Sequence, residues 1–310
     1  MGQAIIVLLG VTVITFLLLD LLNTQGGGVA RQILGSKAPQ SQLIAWNHQN
    51  GFDKPFYVQF WKYLTRLLSG NLGYSYHYNQ SVSSLLSDEL PRDIVLGGIS
   101  LILSLAIAIP VGVAQAVKRN KPVDHGLTAV SFVLYSMPPY AVAILLVQIF
   151  AISTHVFPAT VTTSGNGWSA VFSDFSAQIL PIISLTLVSY AYFSRYMRSS
   201  AIDTLAQDYI RTARAKGLSE RMVLSRHLLR NSLLTVITLV GLSLPVVITG
   251  TVITESVFND PGVGFTYVTA AQNYDYEYML TVTVLVGVLT VLGNLLADMA
   301  YAMLDPRIRY

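Results

Sequence analysis

IVLGGISLILSLAIAIPVGVAQAV, residues 94–117, contains no charged side chain. An α-helix rises 1.5 Å per residue, so about 20 such residues cross a hydrocarbon core roughly 30 Å thick. The backbone is then satisfied inside its own helix, the only open-ended structure that survives where there is no water. Five further stretches read the same way: Ala4–Leu22, Leu127–Ser153, Ala177–Ser194, Leu233–Thr254 and Met279–Leu304. None of the six contains Lys, Arg or His. A basic residue at a helix centre costs about 2.5 to 3.5 kcal/mol on insertion scales, so this exclusion fits a lipid-solvated bundle. Buried helices of a water-soluble protein are seldom so long and so uniformly apolar. The fold class expected is an all-α membrane protein with six transmembrane helices.

Composition agrees. Of 310 residues, 53% are hydrophobic and 11% charged, against roughly a quarter charged in soluble domains. The absence of cysteine excludes disulfides, thiolate metal sites and cysteine nucleophiles. A net charge of +3 gives no case for nucleic acid. The first stretch has neither a basic leader nor an A-x-A site, and it exceeds the roughly 7 to 15 apolar residues of a signal peptide, so it reads as a retained helix. Ile6 breaks the pattern of an N-myristoylation signal.

Orientation follows from the basic residues. Lys118, Arg119 and Lys121 lie between spans two and three. Arg195, Arg198, Arg211, Arg214, Lys216, Arg221, Arg226 and Arg230 lie between spans four and five, and Arg307 and Arg309 in the tail. The opposite loops, 154–176 and 255–278, have no Lys or Arg. Positive loops stay inside, so both termini are expected in the cytoplasm. Residues 23–90 then form an extracytoplasmic subdomain. Within it, Phe56, Phe60, Leu64 and Leu68, with Tyr57 and Trp61 beside them, give an amphipathic helix over Pro55–Leu68. That helix either lies in the headgroup layer or presents a docking surface. Gly70–Tyr74 reads as a turn.

The segment between spans four and five, 195–232, carries the most information. Ile202, Leu205, Ala206, Tyr209 and Ala213 share one helical face, with Asp203, Gln207, Asp208, Arg211 and Arg214 turned away. Gly217 ends the helix in a left-handed cap, Ser219 caps the next, and Met222–Arg230 runs into span five. The expected product is an elbow held at both ends by spans, which leaves a DNA-binding helix-turn-helix no freedom to enter a groove. Small residues at Thr212, Ala213, Ala215 and Gly217 would let a partner approach the backbone. A basic amphipathic helix resting on anionic lipid remains the alternative.

Asp208-Tyr209-Ile210-Arg211-Thr212-Ala213-Arg214-Ala215-Lys216-Gly217-Leu218 resembles the cytoplasmic loop of ABC importer permeases of the dipeptide, oligopeptide and nickel family. The resemblance continues through His227–Ser232, through Glu255-Ser256-Val257-Phe258-Asn259-Asp260-Pro261-Gly262-Val263-Gly264 and through Leu304–Arg309. Upstream it includes Phe52–Gln59, Gly70–Gly73 and the Pro138-Pro139 helix. It implies a type I importer permease fold in the cell membrane, with a permease domain over 91–304 and a tail at 305–310. It implies that residues 208–218 form the helix docking on a cytoplasmic ATPase. The implied partners are two ABC ATPases binding ATP and Mg, a second, paralogous permease subunit and an extracytoplasmic binding protein. Arg211-Thr212-Ala213 stands where the general importer signature has Glu-Ala-Ala, which resembles the peptide branch. A family member is also expected to carry a basic leader ahead of its first span.

No G-x-x-x-x-G-K-S/T occurs, and Gly35-Ser36-Lys37 lacks the earlier glycine, so this chain is expected to bind no nucleotide or cofactor and to be no enzyme. Pro138, Pro139, Pro181 and Pro245, the last beside Thr249-Gly250, are candidate flex points or static kinks. Ser243 and Thr249 are candidates to line a path. Asn294 and Asp298 sit one turn apart in span six, with Asp298 expected to pair locally with Asp305–Arg307. Other acidic residues lie outside the span interiors, which argues against ion-coupled transport, and no internal repeat is evident. The spans carry no histidine for an intramembrane hydrolase. The cargo stays open between a dipeptide, an oligopeptide, a nickel chelate and an oligosaccharide.

Overall fold

A computed structural model describes residues 6, 9–17, 28–35, 37–161, 167–249 and 251–304. Helix α1 covers residues 9–17, within the first apolar stretch, whose remainder lies outside the described residues. The outer segment folds as α2 (Gly28–Leu34), α3 (Gln40–Asn50) and α4 (Phe56–Leu68), followed by a small hairpin of β1 (Tyr74–Ser75) and β2 (Gln80–Ser81). The strands are antiparallel, with Tyr74 opposite Ser81. Gly70 and Gly73 adopt φ of +80° and +93°, so the turn expected at 70–74 is present.

The long helices are α5 (Val82–Val117), α9 (Phe175–Leu205), a continuous run from Glu220 to Thr249, and α15 (Tyr276–Leu304). Four described helices are thus long and apolar enough to cross a membrane, and a bent pair makes a fifth if counted as one span. That pair corrects the reading of Leu127–Ser153 as one continuous helix with at most a kink at Pro138-Pro139. Its parts, α6 (Pro122–Ser136) and α7 (Pro139–Leu146, continuing as a wider π-helical turn over Val147–Ser153), meet at 102°. The reason is local. A residue preceding proline is pushed out of the helical region, and Met137 and Pro138 accordingly take ψ of 133° and 139°. Pro139 then opens α7, where its missing N–H costs nothing. By contrast Pro181 and Pro245 lie inside unbroken helices.

Two boundaries move outward. Helix α5 starts twelve residues before Ile94, taking in Glu89, Arg92 and Asp93; α9 ends at Leu205, well beyond Ser194. Helix α8 (Gly167–Ser173) precedes α9. Beyond Gly250, which lies outside the described residues, come α13 (Val252–Phe258), which packs on α7 and α9 through Phe258, and α14 (Val263–Gln272), which folds back on the outer-segment ends of α5 and α15. The core is helix on helix. Ala108 of α5, Tyr190, Phe193 and Met197 of α9 and Val236 of the Glu220–Thr249 helix form one buried cluster. Asn294 and Asp298 are exposed on α15, and the 305–310 tail lies outside the described residues.

Candidate functional site

The elbow is built from three helical pieces. Helix α9 ends at Leu205, Gln207 takes an extended backbone at φ −73° and ψ 147°, and α10 (Asp208–Ala215) starts in a new direction. This break corrects the single amphipathic helix expected from Ser199 onward. It also rotates the buried face by one position. Ile210 and Ala213 are buried against Val223, with Leu205 and Leu218 packed on them, whereas Tyr209 is exposed. Asp208, Arg211, Thr212, Arg214, Ala215, Lys216 and Gly217 are exposed as well. The elbow thus has an apolar underside and a polar outer face.

Gly217 closes α10 at φ +78°, donating its N–H to the Arg214 carbonyl at 2.9 Å. The left-handed conformation costs a residue with a side chain about 1 to 2 kcal/mol. Leu218 N–H returns to Ala213 O at 3.3 Å. Ser219 holds the capping position with extended backbone, but its hydroxyl makes no capping bond, a correction to the expected side-chain cap; its carbonyl accepts from Met222 and Val223 instead. Across the turn the Arg214 guanidinium donates to both Glu220 oxygens, at 2.7 and 3.2 Å. This fork is largely solvated and worth at most about 1 kcal/mol, so it aligns the arms more than it stabilises them.

Two further links tie the elbow to the bundle. Arg198 donates to Asp124 at 2.9 and 3.0 Å, and Asp124 also accepts from the Asn120 N–H and the Thr128 hydroxyl. Ser200 donates to the Ser232 carbonyl at 3.1 Å, and Ser232 Oγ donates to Thr204 Oγ1 at 3.1 Å. These bonds join α9 to the 118–121 loop and to the Glu220–Thr249 helix.

Between α5, the α6–α7 break, α9 and the Glu220–Thr249 helix lies a cavity of about 360 Å³. Its walls include Ser100, Tyr135, Pro139, Ser189, Tyr192 and Ser243 with Leu101, Val188, Leu242 and Val246, and carry no charged residue. Ser243 and Pro139 thus meet at one void. Pro138 is at the break itself, Pro245 two residues beyond Ser243 along its helix, and Thr249 at the end of that helix. Arg195 stacks its guanidinium 4.1 Å from the centre of the Tyr135 ring at the elbow side of this void.

Near the outer-segment end of α5 lies a group of buried charges that the sequence reading placed in loops. Arg92 of α5 and Gln178 of α9 donate to Asp260, at 3.5 and 3.0 Å. Asp93 accepts the Val263 N–H at 2.9 Å and Glu255 the Phe265 N–H at 2.7 Å. Tyr278 donates to Glu89 at 2.5 Å. Gly262 sits between the two carboxyls; a Cβ there would be 2.1 Å from Asp93 Oδ1 and 2.7 Å from Glu255 Oε2. Burial pushes the Glu255 carboxyl up to about 8, and the neighbouring Asp260 charge adds to the rise. Asp260 is also raised by burial, against the pull of its Gln178 and Arg92 donors. Long-range partners make these charges buriable, so nothing in the local sequence marks them except the Glu255–Gly264 motif.

Known proteins match this chain over nearly its whole length. Residues 108–310 match the family described as binding-protein-dependent transport system inner membrane component, and residues 1–97 match its N-terminal counterpart. The oligopeptide transport system permease protein AppB of Bacillus subtilis is 36% identical, covering 99% of this chain and 97% of its own. The oligopeptide transport system permease protein OppB of Haemophilus influenzae is 39% identical, covering 83% and 82%. A chain of the inward-facing MetNI methionine ABC transporter superposes with a TM-score of 0.54 at 17% identity, covering 69% of this chain and 93% of that one, which is a likeness of fold. The apolar spans, the elbow and these matches agree, and the chain belongs to the family of binding-protein-dependent transport system inner membrane components.

Proposed function

We propose that this chain is the permease subunit of an ATP-driven importer of peptides, forming half of a translocation path and coupled to cytoplasmic ATPases through α10 and Gly217. The elbow carries the reading: a short helix with an exposed polar face and a buried underside, fixed at both ends to long apolar helices. Such a part transmits displacement, because neither arm moves without its span. Asp208, Tyr209, Arg211, Thr212, Arg214, Ala215, Lys216 and Gly217 form the face offered to the ATPase, while Ala213 and Leu218 hold the underside. In this reading there are six spans, both termini are cytoplasmic, the permease domain runs over 91–304, and the protein resides in the cell membrane.

ATP and Mg belong to two partner ATPases, and this chain is not an enzyme. A second permease subunit supplies the other half of the path, and an extracytoplasmic binding protein delivers the peptide. The relatives named for oligopeptide transport support that cargo class. The uncharged, hydroxyl-studded cavity supports it too, since serine and tyrosine hydroxyls exchange hydrogen bonds with any peptide backbone and no fixed charge selects among side chains. Closure of the ATPases would draw the elbows together and tilt the helices around the break at Pro138-Pro139. Reconstitution of the subunits in proteoliposomes, with labelled di- and oligopeptides, tests the proposal. Uptake that requires ATP, the binding protein and this chain is expected; uptake driven by an ion gradient without ATP contradicts it.

A further inference from the structure

Helix α4 has three sides rather than two. Phe56, Phe60, Tyr63 and Leu67 face the protein: Phe56 and Phe60 meet Phe16 of α1 edge-on at 5.5 and 5.6 Å, and Tyr63 and Leu67 join Val29, Tyr276 and Leu280 in one cluster. About a quarter-turn away, Tyr57, Trp61 and Leu68 form a second apolar stripe that is 71%, 66% and 79% exposed, with Leu64 between them. The third side carries Gln59, Lys62 and Arg66. The expected single face of Phe56, Phe60, Leu64 and Leu68 is therefore split between two stripes.

The inner stripe fixes the depth of the helix. Phe16 lies inside an apolar stretch of the sequence rather than in the loop after it. On the other side, Tyr63 and Leu67 share one cluster with Leu280 and Val284, which stand four and eight residues into a membrane-spanning helix that begins at Tyr276. At 1.5 Å per residue these are about 6 and 12 Å below the start of that helix. The chain leaving α4 stays at this level, since Thr281 Oγ1 donates to the Leu72 carbonyl at 2.9 Å. Arg66 reaches Glu277 at the very start of the same helix, which puts the charged side of α4 at the level where the span meets water. Amphipathic helices in a membrane surface sink their apolar side about 5 to 10 Å into the boundary between headgroups and acyl chains.

We infer that α4 lies in the bilayer surface and that its exposed Tyr57, Trp61 and Leu68, with the half-buried Leu64 between them, are covered by phospholipid at the headgroup and acyl boundary. The stripe continues the lipid-facing surface of the two spans it packs on, and its composition of Tyr, Trp and Leu is that favoured at this depth. Gln59, Lys62 and Arg66 then face headgroup phosphates and water. The segment is thereby held as a surface anchor, which fixes the height of everything built on it, including the β1–β2 hairpin.

The chain has three tryptophans, so Trp46→Phe with Trp168→Phe leaves Trp61 as the sole emitter. In phosphatidylcholine vesicles its emission is expected to be blue-shifted, strongly quenched by lipids brominated near the headgroup end of the acyl chain, less by lipids brominated near the methyl end, and shielded from acrylamide. Emission quenched by acrylamide and indifferent to brominated lipid overturns the inference and leaves the stripe as a protein-docking face. Because that double variant replaces packed rings, a second measurement uses Tyr57→Cys carrying a nitroxide in the otherwise cysteine-free chain. Collisions with oxygen exceeding those with a nickel chelate are expected; the reverse order overturns the inference.

Discussion

Replacement of Gly217 isolates what the elbow contributes. A Cβ at this position meets nothing within 4 Å, yet the backbone stands at φ +78°. The intramolecular penalty is therefore backbone strain alone, about 1 to 2 kcal/mol for Gly217→Ala, more for the β-branched Gly217→Val, and smallest for Gly217→Asn, since asparagine visits the left-handed region readily. Against a folding stability of about 5 to 15 kcal/mol, none of these unfolds the chain. At the elbow the same 1 to 2 kcal/mol is about a 5- to 30-fold shift between the bent arm and its relaxed alternatives. The assay is paired: thermal unfolding of the purified chain, and ATP-dependent peptide uptake with all subunits. Unfolding should change little along Gly, Asn, Ala and Val, while uptake falls in that order. Asparagine separates the two causes, because it preserves the bend but adds bulk to the outer face; uptake lost in Gly217→Asn with an unchanged chain places a partner against this residue. A Gly217→Val chain transporting like the parent refutes the reasoning.

Three other outcomes follow from the buried contacts. Gly262→Ala puts a methyl against Asp93 and Glu255 and should cost about 1 to 3 kcal/mol by overpacking, seen as a lowered unfolding temperature in detergent. Glu255 holds its proton to about pH 8 in the folded chain against an ordinary value of 4.5, so the folded state binds more protons than the unfolded one in that window. The Glu255 contribution to stability should then decline as pH rises from about 4.5 to 8 and level off above; Glu255→Gln should make the decline shallower in denaturation curves across that range. Arg198→Ala leaves Asp124, whose side chain is 2% exposed, without its guanidinium. The expected loss is about 3 kcal/mol, and Asp124→Asn in the same chain should recover part of it in a double-mutant comparison.

The long apolar helices could be read from the sequence because a single physical requirement, satisfying the backbone without water, shapes their composition. The elbow could be read too, since Gly217 and the basic residues around it are local signals. What escaped the reading depends on distant partners. Glu89, Arg92 and Asp93 look like loop residues until Tyr278, Asp260 and the Val263 N–H are brought to them, and so the start of α5 was placed twelve residues late. The backbone break at Gln207 has no glycine or proline to announce it, and missing it rotated the assigned face from Ile210 to Tyr209. Pro138-Pro139 was legible as an irregularity but not as a turn of 102°, because proline states that a helix stops without stating where the next one points. In α4, periodicity gave the apolar residues, and only the contacts of Phe16 and Leu280 divided them between protein and surroundings.

The most direct test of the account is a cross-link at the elbow. The chain has no cysteine, and Ser219 is exposed beside Gly217, so Ser219→Cys offers one reactive thiol at the outer face. Cross-linked in native membranes and analysed by mass spectrometry, it should recover an ATPase carrying a Walker motif. A thiol that reacts with cytoplasmic reagents yet repeatedly captures only lipid, or no protein, would contradict the coupling role and leave the elbow as a helix resting on the membrane surface.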